Sequence, residues 1–142
     1  MKVKDVMTPK VIRISPEETA AVAARTLTHY NIGVLPVCGA DGNVCGMLTD
    51  RDIVTRCLAT GHRPEDTPVQ AIMTNTVISA RPDMDVTAAA SLMARRQVRR
   101  LPVVESGKLC GMISLGDLSR NEDTAPDAAD ALAEITGNVA DR

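Results

Sequence analysis

Leu35-Pro36-Val37, followed by Cys45-Gly46-Met47-Leu48-Thr49-Asp50-Arg51-Asp52, returns as Leu101-Pro102-Val103 followed by Cys110-Gly111-Met112-Ile113-Ser114-Leu115-Gly116-Asp117. The first block recurs at an offset of 66 residues and the second at 65, because the second loop is one residue shorter. Working outward, Met7-Thr8 recurs as Met73-Thr74, Val11-Ile12 as Val77-Ile78, Pro16 as Pro82, and Ala23-Ala24 as Ala89-Ala90. The order is kept throughout, so the chain is an internal duplication, and the repeat sets the architecture.

Each repeat reads alike. A short apolar strand, Lys10 to Ile14 or Thr76 to Ala80, meets a proline break. In the first repeat Ser15-Pro16-Glu17-Glu18 has the form of a capping box with Pro at the first helical position, so a helix is expected to start there. Residues 18–30 and 84–96 are Ala-rich, with Val22 and Leu27, and Leu92 and Met93, giving one packing face. Asn31 and Gln97 mark the exits. Two hairpins follow, Gly33 to Cys38 with Val44 to Leu48, and Arg99 to Val104 with Leu109 to Ile113. Thr49 and Ser114 then open second helices running to about Ala59 and Ser119.

The expected class is α+β, a β-α-β-β-α unit occurring in tandem. A unit of roughly 50 residues is marginal alone, so the two repeats are expected to pack together as a pseudo-twofold pair. The division is residues 1–60, a connector at 61–71, residues 72–120, and an acidic, Ala-rich tail at 121–142 with at most one loosely attached helix around 126–136.

Composition narrows the partners. Of 142 residues 44 % are hydrophobic and 24 % charged, but there is no Phe or Trp and only Tyr30, so the core is built from Ala, Val, Ile, Leu and Met. A net charge of -2 and the missing aromatics argue against nucleic acid. No segment approaches the ~20 apolar residues of a membrane span, and the opening MKVKDVMTPK lacks the apolar run of a signal peptide. A cytoplasmic location is expected. His29 and His62 are tied to no nucleophile, and no phosphate-cradling loop, dinucleotide fingerprint or metal-ligand spacing occurs, so neither a catalytic residue nor a metal site is assigned. Of the four cysteines, a turn centred on Asp41-Gly42 sets Cys38 opposite Cys45. Free thiols are the default, and a cross-strand disulfide with a redox response stays open as an alternative.

Val6-Met7-Thr8, Ile32-Gly33-Val34-Leu35-Pro36-Val37, Gly46-Met47-Leu48-Thr49-Asp50-Arg51-Asp52 and Val98-Arg99-Arg100-Leu101-Pro102-Val103 resemble the signatures of CBS (cystathionine-beta-synthase) domains over roughly residues 5 to 120. The chain is similar to small stand-alone bacterial proteins consisting of one CBS pair, or Bateman module. The resemblance implies clefts between the repeats that hold AMP, ADP, ATP or another adenosyl compound as a regulatory ligand, with no cofactor required. In the family pattern Gly-x-x-Thr/Ser-x-x-Asp, the hydroxyl meets phosphate and the carboxylate the ribose, which maps onto Gly46, Thr49 and Asp52 and onto Gly111, Ser114 and Asp117. A helix start suits phosphate and a carboxylate suits a diol, yet Thr or Ser three residues before Asp is also an ordinary capping box.

For phosphate, Arg99 and Arg100 precede Leu101, and strand alternation is expected to turn one of them toward the cleft, with Arg100 the better family match. The first repeat has Gly33 and Val34 there, with only Arg51 nearby as a substitute, so the two sites are expected to differ and the second to be the better one. The resemblance assigns adenine to the first strand's backbone and to apolar side chains, making Ile12, Ile78, Pro36 and Pro102 candidates. It further implies a homodimer through helices and an unidentified effector protein. The function so read is a ligand-sensing module without enzymatic activity; the alternative is a structural or dimerisation module that has lost its ligand.

Overall fold

A computed structural model describes residues 1–140, with side chains through residue 137. In chain order the elements are α1 (Val3–Val6), α2 (Ala20–Tyr30), β1 (Val34–Cys38), β2 (Val44–Thr49), α3 (Asp50–Asp52), α4 (Val86–Arg96), β3 (Arg100–Glu105), β4 (Lys108–Ser114), α5 (Leu115–Ser119) and α6 (Ala125–Ala140). A π-helical stretch, Ile53–Leu58, continues α3, and single 3-10 turns lie at Pro64–Asp66 and Val69–Ala71. The chain forms two compact units: Ile12–Val77, and Met1–Val11 together with the chain from Ile78 onward.

In the Ile12–Val77 unit, β1 and β2 pair antiparallel, and Leu35, Val37 and Leu48 are fully buried beneath Ala20, Ala23 and Leu27 of α2. Burying each such Leu or Val contributes about 1.5–3 kcal/mol. In the other unit β3 and β4 pair the same way, and Leu101, Val103 and Ile113 pack with Ala89, Met93 and Leu118. Both first helices end where expected, with Asn31 and Gln97 in the left-handed conformation as C-caps.

The expected third strand is not a strand. Ile14 and Ala80 each make one parallel bridge, to Val37 and Val103. The Ile14 N–H donates to the Pro36 carbonyl at 3.1 Å, and the Cys38 N–H donates to the Ile14 carbonyl at 2.9 Å. The next rung on one side would need an N–H from Pro36 to reach Ile12, and on the other an N–H from Pro16; proline has none. Pro102 and Pro82 truncate the second ladder identically. The sheet therefore leaves the Ile12 and Ile78 carbonyls unclaimed.

Helix α2 also starts later than the Ser15-Pro16 signal indicates. Residues 16–18 form a turn, and Thr19 is the N-cap, its hydroxyl accepting the Val22 N–H at 3.2 Å. The carbonyls that would begin a helix are taken by the connector: Gln70 donates to Pro16 at 3.0 Å, Val69 to Glu18 at 2.7 Å, and Ala20 donates back to Thr67 at 2.8 Å.

The same three bonds recur 66 residues away, from Lys4 to Pro82, Val3 to Met84, and Val86 to Met1. Residues 67–74 thus serve the first repeat's hairpin, while residues 1–8 serve the second's. Met47 exchanges two backbone hydrogen bonds with Thr74, and Met112 two with Thr8. This docking explains two repeated glycines: a Cβ on Gly46 would lie 2.5 Å from Met73 Sδ and 3.0 Å from the Thr74 carbonyl, and one on Gly111 2.7 Å from Met7 Sδ and 2.9 Å from the Thr8 carbonyl.

The C-terminal helix extends beyond the expected residues 126–136 and is attached by a narrow seam. α6 lies against α4 and α5, burying Ala128, Ala131 and Ile135. Its seam meets Ala90 and Ala94 of α4, and small residues on both sides allow close approach. Thr124, 2 % exposed, anchors its start by donating to the Leu118 carbonyl at 2.6 Å.

Candidate functional site

β4 delivers Ser114 to the start of α5, where two reciprocal bonds form. The Ser114 hydroxyl accepts the Asp117 N–H at 3.1 Å, and Asp117 Oδ2 accepts the Ser114 N–H at 2.8 Å. Asp117 Oδ1 is paired with Arg120. Thr49 and Asp52 make the same box at 3.1 and 2.9 Å, with Arg56 Nε 3.7 Å from Asp52 Oδ1. The hydroxyls and carboxylates that match the family motif are therefore helix caps in both repeats.

Arg99, Arg100 and Ser114 line one cavity of about 600 Å³ with Leu115, Gly116 and Arg120, and α6 closes its far side. Strand alternation predicts that only one of Arg99 and Arg100 faces it, but both do. β3 begins at Arg100, paired with Ser114, whereas Arg99 lies before the strand and uses its carbonyl to accept the Leu115 N–H at 3.0 Å. Neither arginine is in an ion pair among the described residues. Pro102 is buried opposite Met112, and Ile78 is partly buried on the core. The sequence reading missed Arg120 and the α6 wall; the signal for Arg120 was its position one turn after Asp117.

The Ile12–Val77 unit places its counterparts differently. Val34 pairs with Thr49 and Pro36 with Met47, while Ile12 packs partly buried against the core and Arg51 is exposed. Where the other unit has Leu115, this one has Asp50, whose Oδ1 accepts the Arg51 N–H at 2.8 Å and whose Oδ2 lies 3.7 Å from the position of a Cβ on Gly33. A carboxylate thus stands beside the place of the missing arginine.

The cross-strand cysteine pair is not formed. A bulge after Val37 pairs Cys38 with Val44, leaving Cys45 as the extra residue. Cys38 is buried and Cys45 exposed, and both are free. Burial raises the pKa of Cys38 and of Cys45, with Arg13 opposing the shift at Cys38. No group of three or more His, Cys, Asp or Glu among the described residues is placed to hold a metal ion.

The CBS domain family matches residues 3–59 and 69–123, and the chain belongs to it as a CBS pair. It is 42 % identical over 134 residues to the CBS domain-containing protein YhcV of Bacillus subtilis (strain 168), covering 94 % of each chain. Coverage that complete leaves no separate catalytic domain in that relative. The crystal structure of Hypoxic Response Protein I with two coordinated zinc ions is similar at a TM-score of 0.79 and 31 % identity, covering 85 % of this chain and 98 % of that one. The CBS domain pair of MJ0100, in complex with 5′-methylthioadenosine and S-adenosyl-L-methionine, is similar at 0.75 and 29 %, covering 84 % and 94 %.

Proposed function

We propose that the chain is a regulatory module that binds an adenine nucleotide, with the unit carrying Arg99, Arg100 and Ser114 as its phosphate-binding site. The observation that carries this reading is the cavity of about 600 Å³ on which Arg99, Arg100 and Arg120 converge, a volume suited to a small molecule. Arg99 and Arg100 make no ion pair among the described residues, and guanidinium forks match phosphate oxygens. The carbonyl of Ile78, left over by the proline-truncated ladder, offers an acceptor for an adenine amine. The adenosyl ligands in the MJ0100 structure support the same class.

The unit with Gly33, Asp50, Arg51 and Asp52 is the weaker phosphate site, its charge balance suiting a neutral or cationic adenosyl compound. Val54 and Leu58, 54 % and 52 % exposed and one turn apart, support a homodimer through this helix. No described helix is long and apolar enough to cross a membrane. A cytoplasmic setting, contact with an effector protein and the lack of enzymatic activity complete the reading.

Titration calorimetry with AMP, ADP, ATP and S-adenosylmethionine tests it. The phosphorylated ligands bind, and Arg100→Ala weakens them at least about tenfold, the scale of a lost charge-assisted contact. At about 100 times its dissociation constant a ligand adds ~2.7 kcal/mol of stability; no heat and no melting shift at millimolar ligand overturns the reading.

The reciprocal capping boxes favour a second reading, a structural module without ligand. It expects Asp117→Ala to cost about 0.5–2 kcal/mol of stability in a protein that binds no nucleotide.

A further inference from the structure

One wall of the arginine cavity comes from outside the repeats. α6 contributes Ala125, Ala128, Ala129 and Leu132, opposite Arg99, Arg100 and Arg120. The helix separates its charge from this wall: Asp127, Asp130 and Glu134 line another groove, against α4, together with Arg95. Its carboxylates are thereby kept away from the guanidinium cluster, and its apolar flank is turned toward it. Leu132, 40 % exposed, is the large apolar side chain on that flank.

Two features make α6 a wall that can move. Its buried seam is thin, consisting of Ala128, Ala131 and Ile135, so little apolar area holds it down. Its root, by contrast, is fixed: Thr124 is buried and bonded to Leu118, and the Ala125 N–H donates to the Asn121 carbonyl at 2.8 Å. Arg120, immediately before this root, both lines the cavity and pairs with Asp117.

Resting on the nucleotide reading above, we propose that α6 is a movable wall of the nucleotide cavity, so that nucleotide binding and α6 docking strengthen each other. A ligand whose phosphates engage the arginines lays its apolar portion against Leu132 and Ala129, and these contacts exist only with α6 docked. Such differential contact is what links two equilibria, and the linkage is reciprocal. Nucleotide level is thereby read out as exposure of the α4–α6 seam, a surface distinct from the ligand site.

The test uses the full chain with ATP as the probe. Hydrogen exchange across residues 125–137 is compared with and without ATP, and ATP affinity is compared between the wild type and Ala131→Glu, which places a charge in the seam without touching the cavity. The expected results are exchange slowed at least about fivefold and affinity lowered within the ~5–150-fold range of coupled sites. ATP that binds without altering exchange, and binds the variant as it binds the wild type, overturns the proposal while leaving the nucleotide reading intact. A wild type that binds no ATP overturns both. Should Ala131→Glu fail to fold by circular dichroism, Leu132→Ala takes its place: a loss of several-fold in affinity supports the wall, and unchanged affinity overturns it.

Discussion

Gly111→Ala adds one methyl group at the point where residues 7 and 8 cross β4. The new Cβ would stand 2.7 Å from Met7 Sδ, 3.2 Å from Met7 Cγ and 2.9 Å from the Thr8 carbonyl oxygen, where ordinary contacts are 3.4–4 Å. Met7 is flexible and can swing aside. The Thr8 carbonyl cannot, because it accepts the Met112 N–H at 2.9 Å while Thr8 donates to Met112 at 2.8 Å. Overpacking of this kind costs about 1–3 kcal/mol, and each backbone bond lost on relaxation about 0.5–1.5 kcal/mol. Since relief of one raises the other, the expected loss is about 2–4 kcal/mol. In urea, with a slope of about 1–3 kcal/mol per molar for a chain of this size, the midpoint falls by roughly 1 M or more. Gly137→Ala is the control: that glycine is exposed in α6 with nothing within 4 Å of an added Cβ, so the change is neutral or stabilises by about 0.5–1 kcal/mol. Met7→Ala in the Gly111→Ala background restores part of the loss, since the carbonyl clash remains. A Gly111→Ala loss below about 0.5 kcal/mol, the range of ordinary surface changes, would refute the close-approach account of both repeated glycines.

Other expectations follow from the asymmetry of the units and from burial. Gly33→Arg installs the guanidinium missing from the Ile12–Val77 unit, where an added Cβ meets Asp50 Oδ2 at 3.7 Å; on the proposed nucleotide reading, combining it with Asp50→Leu raises the calorimetric stoichiometry for ATP from one to two per chain, and unchanged stoichiometry contradicts the charge argument. The pKa of Cys38 is raised by burial from its ordinary 9.0. Its contribution to stability is therefore complete below pH 9.0 and declines as the pH rises through and above that value. In urea melts the stability gap between wild type and Cys38→Ala should hold steady below pH 9.0 and narrow as the pH is raised above it, and a gap that stays constant above that value contradicts it.

The duplication was legible as an ordered repeat, and the hairpins, the left-handed exits at Asn31 and Gln97 and the capping motifs because each of them depends on residues close in sequence. The first strand failed for a non-local reason: Ile12 to Ile14 has strand-like residues, but the partner that would extend the ladder is Pro36. The helix start at Ser15 failed similarly, since carbonyls in residues 16–18 are claimed by residues 69 and 70. Cys38 and Cys45 were misplaced by a bulge that loop length alone does not reveal. The extent of the tail helix was underestimated because an alanine seam carries little hydropathy, although it docks once a second alanine-rich helix is beside it. Of the residues that line the candidate cavity, Arg99, Arg100 and Ser114 stand in motifs readable in the sequence, whereas Arg120 and Leu132 join them through the fold alone.

The exchange of leading segments also bears on the order in which the chain becomes foldable during synthesis. Domains generally fold as they emerge, N-terminal first, but residues 1–8 here are made before Ile12–Val77 and find their place after it. The stretch from Ile12 to Val77 contains its own residues 67–74 and is complete once Val77 has cleared the ribosome. Met1 to Thr8 must wait until Met112 has been made before their backbone bonds can close. The repeat that is visible in the gene is thus not the piece that folds: the folding boundary lies after Val77, inside the second copy.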